Sequence, residues 1–174
     1  MHGSGLTHIV WSLHEQFLAS KGYSVLGLDL PAHGNSEGPA IQSIEEIAEW
    51  INKLMKKLQI NEISFIGHSQ GCLVGLEFAY RFPKLIKSLT LVGGSYSLPV
   101  NQVQKIINSP RQVQEGLAID LRACNNYTNG SKAAETISCP TLCILGDKDK
   151  MVPLEKGKKM ATKIKNSELS IINE

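Results

Sequence analysis

Two rhythms of apolar and polar positions alternate along the chain. Short apolar runs bounded by Gly, Pro, Asn or Asp recur at residues 24–29, 62–66, 88–92, 141–145 and 168–172. Such runs read as strands of a sheet covered on both faces. Between them lie helical patterns, the first over residues 9–21. In the second, Ile44, Ile47, Ala48, Ile51, Leu54, Met55 and Leu58 share one face, and Ser43 with Glu46 forms a capping box. A third covers residues 70–82 and stops at Pro83; a fourth covers 154–164. This alternation predicts a mostly parallel α/β sheet flanked by helices, a three-layer sandwich. Residues 96–137 break the rhythm. They are polar, carry the turn signals Asn125-Asn126 and Asn129-Gly130, and have room for at most two short helices. They read as a short cap inserted into one core, dividing the chain into residues 1–95, 96–137 and 138–174, with no internal repeat.

Composition narrows the partners. The chain has 174 residues, 42% apolar and 20% charged, enough for one ordinary globular core. The net charge of +2 is scattered, which predicts no nucleic acid and no membrane surface as partner. Lys56-Lys57 and the lysines between 156 and 159 read as solvated helix faces. No apolar stretch approaches the ~20 residues of a membrane span, and no signal-peptide pattern opens the chain. Cys72 and Cys143 fall in apolar elements, as buried reduced thiols of a cytoplasmic protein do. Cys139 and Cys143 have no second pair and no nearby His, so no zinc site is expected. No phosphate loop or nucleotide motif is visible either, and no cofactor is expected.

The chemistry centres on Gly67-His68-Ser69-Gln70-Gly71, placed after an apolar strand and before an apolar helix. A serine on so sharp a turn holds its hydroxyl clear of the sheet. Strand and helix approach that closely only with small neighbours, here Gly67 and Gly71. The helix that begins at Gln70 aims its first amides at the nucleophile, where negative charge develops. Two small-residue loops accompany the elbow: His2-Gly3-Ser4-Gly5, and Asp29-Leu30-Pro31-Ala32-His33-Gly34-Asn35-Ser36-Glu37-Gly38. Asp147 and Asp149 both follow an apolar strand, where an α/β sheet places its active groups.

These motifs occur in the order His-Gly-Ser-Gly, Trp11, Asp29-Leu-Pro-Ala-His-Gly, Gly-His-Ser-Gln-Gly, Gly146-Asp-Lys-Asp149 and Pro153. In that order the chain resembles the α/β-hydrolase fold family over nearly its whole length. The resemblance implies backbone oxyanion donors at Ser4 and Gln70 and a triad acid at Asp149, with Asp147 as the runner-up. The loop after the preceding strand, Gly93-Gly94-Ser95, offers no carboxylate. Relatives with Asp at the elbow open epoxides or displace halide. Ser69 implies an acyl-enzyme, and with it small acyl substrates: esters, thioesters, amides or compounds with a C–C bond beside a ketone.

The histidines are at odds with this pattern. All five, at 2, 8, 14, 33 and 68, precede Ser69, whereas the family runs Ser, then Asp, then His. His68 is expected to point away from Ser69. In the family the base follows the last strand, and a further strand leads into the His-Gly loop. The expectation is therefore a fragment of the fold, inactive and loosely folded by itself, with a gap between the strands at 24–29 and 62–66. A hydrolase-fold protein that binds a small molecule without turnover is the competing reading. Acyl transfer and cofactor-free haloperoxidation by the same triad compete as well.

Overall fold

A computed structural model describes residues 1–97 and 115–173. Four parallel strands form one sheet in chain order: β1 (Ile63–His68), β2 (Ile86–Val92), β3 (Thr141–Gly146) and β4 (Ser167–Ile172). The helices are α1 (Ser12–Ser20), α2 (Ile44–Lys57), α3 (Gln70–Arg81), α4 (Glu115–Asn126), α5 (Gly130–Thr136) and α6 (Leu154–Lys163). A helix fills each crossover, as parallel pairing requires. α3 joins β1 to β2, α6 joins β3 to β4, and α4 with α5 lie between β2 and β3.

α3 is buried from Gln70 to Ala79 because other elements surround it. It packs on β1 and β2 and also meets α2 and α5. That is why its sequence is apolar nearly all round. Gly75 lets it close on the sheet: a Cβ there would meet Phe65 Cε1 at 3.0 Å and Leu89 Cδ1 at 3.1 Å. α2 follows the sequence reading except at Leu58, which caps the helix and is exposed. The Ser43 hydroxyl accepts the Glu46 N–H at 3.2 Å, acids sit in the first turn and Lys56 and Lys57 in the last. Its stripe of Ile44, Ile47, Ala48, Ile51 and Met55 is buried. Each large side chain so enclosed contributes roughly 1.5–3 kcal/mol.

The strand expected at residues 24–29 is corrected. That segment pairs with no strand among the described residues, and Tyr23, Val25 and Leu26 stay exposed. An apolar run becomes a strand only beside a ladder partner, and β1 is the edge of the described sheet. Met1 enters the lane next to β1. Its amino group donates to the Ile66 carbonyl at 2.6 Å, and its carbonyl accepts the His68 N–H at 3.1 Å. The first helix is also shorter than expected, a 3-10 turn at His8–Trp11 leading into α1, which buries no residue. The expected cap at 96–137 falls partly outside the described residues. No described helix is long and apolar enough to cross a membrane.

Candidate active site

β1 turns into α3 through Ser69, which adopts φ 53° and ψ −111°. A non-glycine residue in that region stores of order 1–3 kcal/mol, and neighbouring structure must hold it there. Here the Ser69 N–H donates to the Val92 carbonyl at 3.0 Å, and its carbonyl accepts the Cys72 N–H at 2.9 Å. A Cβ on Gly67 would lie 2.2 Å from the Gly71 carbonyl oxygen, and one on Gly71 would lie 2.6 Å from the Met1 carbonyl oxygen. Neither position admits a side chain. Gln70 opens α3, so its N–H has no acceptor within the helix. Its side chain is wholly buried, and neither amide atom has a partner.

The His2–Gly5 loop lies against the nucleophile. A Cβ on Gly3 would meet the Ser69 Cβ at 3.2 Å and His68 Nδ1 at 3.0 Å. Ser4 follows directly in that loop. His2 is fully buried and accepts the Leu30 N–H on Nε2 at 3.2 Å. Nδ1 therefore carries the proton and donates to the Gly3 carbonyl at 2.9 Å. Burial keeps this ring neutral by lowering its pKa, although the Gly3 carbonyl acts the other way. His2 thus ties this loop to the Asp29–Gly38 loop. In the latter, Asp29 accepts the His8 N–H at 2.7 Å, the His8 ring Nδ1 at 2.9 Å and the Asn35 N–H at 3.2 Å. Burial alone would raise the Asp29 pKa, but these bonds outweigh it and hold the group below its ordinary value.

Asp149 stands in the loop after β3. Its Oδ1 accepts the N–H groups of Met151 at 2.8 Å and Val152 at 2.9 Å. Its Oδ2 turns toward the end of β2, where a Cβ on Gly93 would lie 3.5 Å from it and 3.7 Å from His68 Nε2. The Asp147 N–H donates to the Ile172 carbonyl at 3.0 Å, on the β4 side. Ser69, Gln70, the loop holding Ser4, and Asp149 therefore gather at the carboxyl ends of β1, β2 and β3, where open α/β sheets bind ligands.

The histidines are mostly engaged elsewhere. His8 pairs with Asp29, His33 with Asp120 Oδ2 at 2.9 Å, and His14 packs on Trp11. A Cβ on Gly3 would lie 3.0 Å from His68 Nδ1 and one on Gly93 3.7 Å from His68 Nε2, so the His68 ring lies between those two glycines. Burial lowers its pKa, and the Asp149 charge partly offsets this. Among the described residues no hydrogen bond joins a histidine to Ser69 or Asp149. Asp120 is the site residue that sequence reasoning missed: its Oδ2 also accepts the Gly5 N–H at 2.8 Å. Nothing in the local pattern near residue 120 marks it, because its partners lie far back in the chain.

Comparison with known proteins identifies the fold family. The alpha/beta hydrolase fold family matches residues 2–118, and the chain belongs to that family. It is 34% identical over 112 residues to an uncharacterized protein of Mycobacterium tuberculosis, a match covering 63% of this chain and 33% of that one. It is 25% identical over 117 residues to the (E)-2-((N-methylformamido)methylene)succinate hydrolase of Acinetobacter baylyi, covering 67% of this chain and 44% of that one. The fold superposes on a hydrolase from Pseudomonas aeruginosa with TM-score 0.85 at 20% identity, covering 98% of this chain and 79% of that one.

Proposed function

We propose that the chain carries the nucleophile, oxyanion donors and acid of a serine hydrolase that forms an acyl-enzyme on Ser69. The observation that carries this reading is the strained Ser69 elbow, with the His2–Gly5 loop against it. Strain at a backbone position marks a functional turn when the surroundings over-determine it. The substrate is a small ester, thioester or related acyl compound, whose carbonyl oxygen takes the Ser4 and Gln70 amides as it becomes an oxyanion. Asp149, tethered through Oδ1, keeps Oδ2 available to orient a base. The base is the one role that no described contact fills, and the family's place for it is the loop after the last strand. A reducing cytoplasm suits the four unpaired cysteines.

Imidazole supplied in solution can stand in for a base. A fluorophosphonate probe with imidazole should modify Ser69 in this chain, read by intact mass and peptide mapping. Ser69→Ala should abolish the modification. Equal modification of that variant, or none of the unaltered chain at any imidazole concentration, refutes the reading and favours binding without turnover.

A further inference from the structure

α4 meets the His2–Gly5 loop along one stripe. Leu117, Asp120 and Cys124 follow the i, i+3, i+7 spacing of a single helix face. A Cβ on Gly5 would lie 2.9 Å from Leu117 Cδ1. Asp120 Oδ2 accepts the Gly5 N–H at 2.8 Å, and Cys124 Sγ is 3.7 Å from Ser4 Oγ. The same Asp120 oxygen lies 2.9 Å from His33 Nε2, and His33 Nδ1 lies 3.0 Å from the Pro31 carbonyl. The His2 and His33 rings are 5.2 Å apart. Asp120 is 1% exposed, so this carboxylate is part of the interior and not a surface charge that happens to reach a loop.

A loop of small residues has little bulk with which to fix itself. Its leading end is held by Met1 on β1 and by His2 on the Leu30 N–H. At its trailing end Gly5 takes φ +66°, and its N–H is bound by a carboxylate 115 residues further along. Oxyanion donors stabilise a transition state only if they are fixed before charge develops. A misplacement of about 1 Å can cost about 10²-fold in rate.

We propose that Asp120 is a positioning residue for the oxyanion loop. The seated α4 holds Gly5, and through Gly5 it holds the Ser4 amide beside Ser69. The helix between β2 and β3 then sets the competence of the oxyanion hole as well as packing over the core. This rests on the reading of Ser69 and Ser4 given above.

The test uses the whole chain with Asp120→Ala, Asp120→Asn and, as a control away from the loop, Tyr127→Phe. Two quantities are read: hydrogen exchange of the Gly5 amide by NMR, and the rate of imidazole-assisted fluorophosphonate modification of Ser69. In Asp120→Ala the Gly5 amide should exchange at least about tenfold faster while the Leu89 and Leu91 amides are unchanged. Modification should slow by about 10- to 100-fold, the range set by a shift of up to about 1 Å. Asp120→Asn keeps an oxygen acceptor and should restore both quantities to near the unaltered values. Tyr127→Phe should melt lower yet react at the unaltered rate. Should Asp120→Ala not fold, Asp120→Glu gives the same two readings, because its carboxylate sits one methylene out of place. An unchanged Gly5 amide overturns the proposal. So does an unchanged modification rate with Gly5 released, or equal slowing in Tyr127→Phe. Failure of the unaltered chain to react refutes the Ser69 reading instead, and the Gly5 amide then decides by itself whether Asp120 anchors the loop.

Discussion

Tyr127→Phe removes one hydroxyl from the contacts of a charge with no access to water. Glu77 lies on α3 and is fully buried. Its Oε1 accepts Arg81 Nε at 2.5 Å, and its Oε2 accepts the Tyr127 hydroxyl and Asn129 Nδ2, each at 2.8 Å. Burial by itself would raise the Glu77 pKa. The bonds from Arg81, Asn129 and Tyr127 outweigh it and hold the carboxyl below its ordinary value. The Tyr127 hydroxyl is pushed up, first by burial and then by the Glu77 charge. The variant leaves the carboxylate short of one donor, with no water to replace it. A hydrogen bond to a charged group is worth about 1.5–3 kcal/mol. At ~2–4 °C per kcal/mol for a chain of this size, the melting temperature should fall by about 3–12 °C. The assay is thermal melting by circular dichroism, at pH 7 and at successively lower pH. A carboxylate whose pKa is depressed on folding contributes its stability above the unfolded value, and that stability is lost as pH falls through the folded value. The unfolded value is 4.5, so the gap between wild type and variant should be full above it and shrink below it. A drop of less than about 1 °C at pH 7, or a gap that widens on acidification, would refute the reasoning.

Two further outcomes are expected. Gly67→Ala puts a Cβ 2.2 Å from the Gly71 carbonyl oxygen and 2.4 Å from its carbon, backbone atoms that cannot swing aside. It should destabilise by at least about 1–3 kcal/mol and abolish Ser69 modification, read by denaturant melts and intact mass. Asp149→Asn keeps an oxygen for the Met151 and Val152 amides, so the turn should survive. Imidazole-assisted modification should nonetheless slow about tenfold or more, short of the ~10⁴ that this change costs an intact triad. Should Asp147→Asn be the damaging change instead, the acid has been misassigned.

Local chemistry was legible in the residues themselves. Gly67, Ser69 and Gly71 announce the elbow because a strained turn admits few residue types. Ser43 with Glu46 announces the start of α2 because capping is decided within four residues. The apolar runs of β1 to β3 announce parallel strands that bury alternate residues, because that pattern is written in each run; the run of β4 reads as covered too, yet Leu169, Ile171 and Ile172 stay exposed. What failed depended on partners distant in the chain. The run at 24–29 is apolar enough for a strand, yet strand formation needs a ladder beside it, and the run itself does not say whether one exists. That Gly3 and Gly93 lie on either side of the His68 ring is likewise decided only by the fold. Nothing in a linear scan singles out Asp120 or Glu77. Tertiary structure alone makes them buried anchors, by carrying Asp120 to Gly5, 115 residues away, and Glu77 to Tyr127, 50 residues away. The reason is physical. Backbone strain, caps and periodicity are properties of neighbouring residues, while the cost of burying a charge depends on which distant donors the fold places around it.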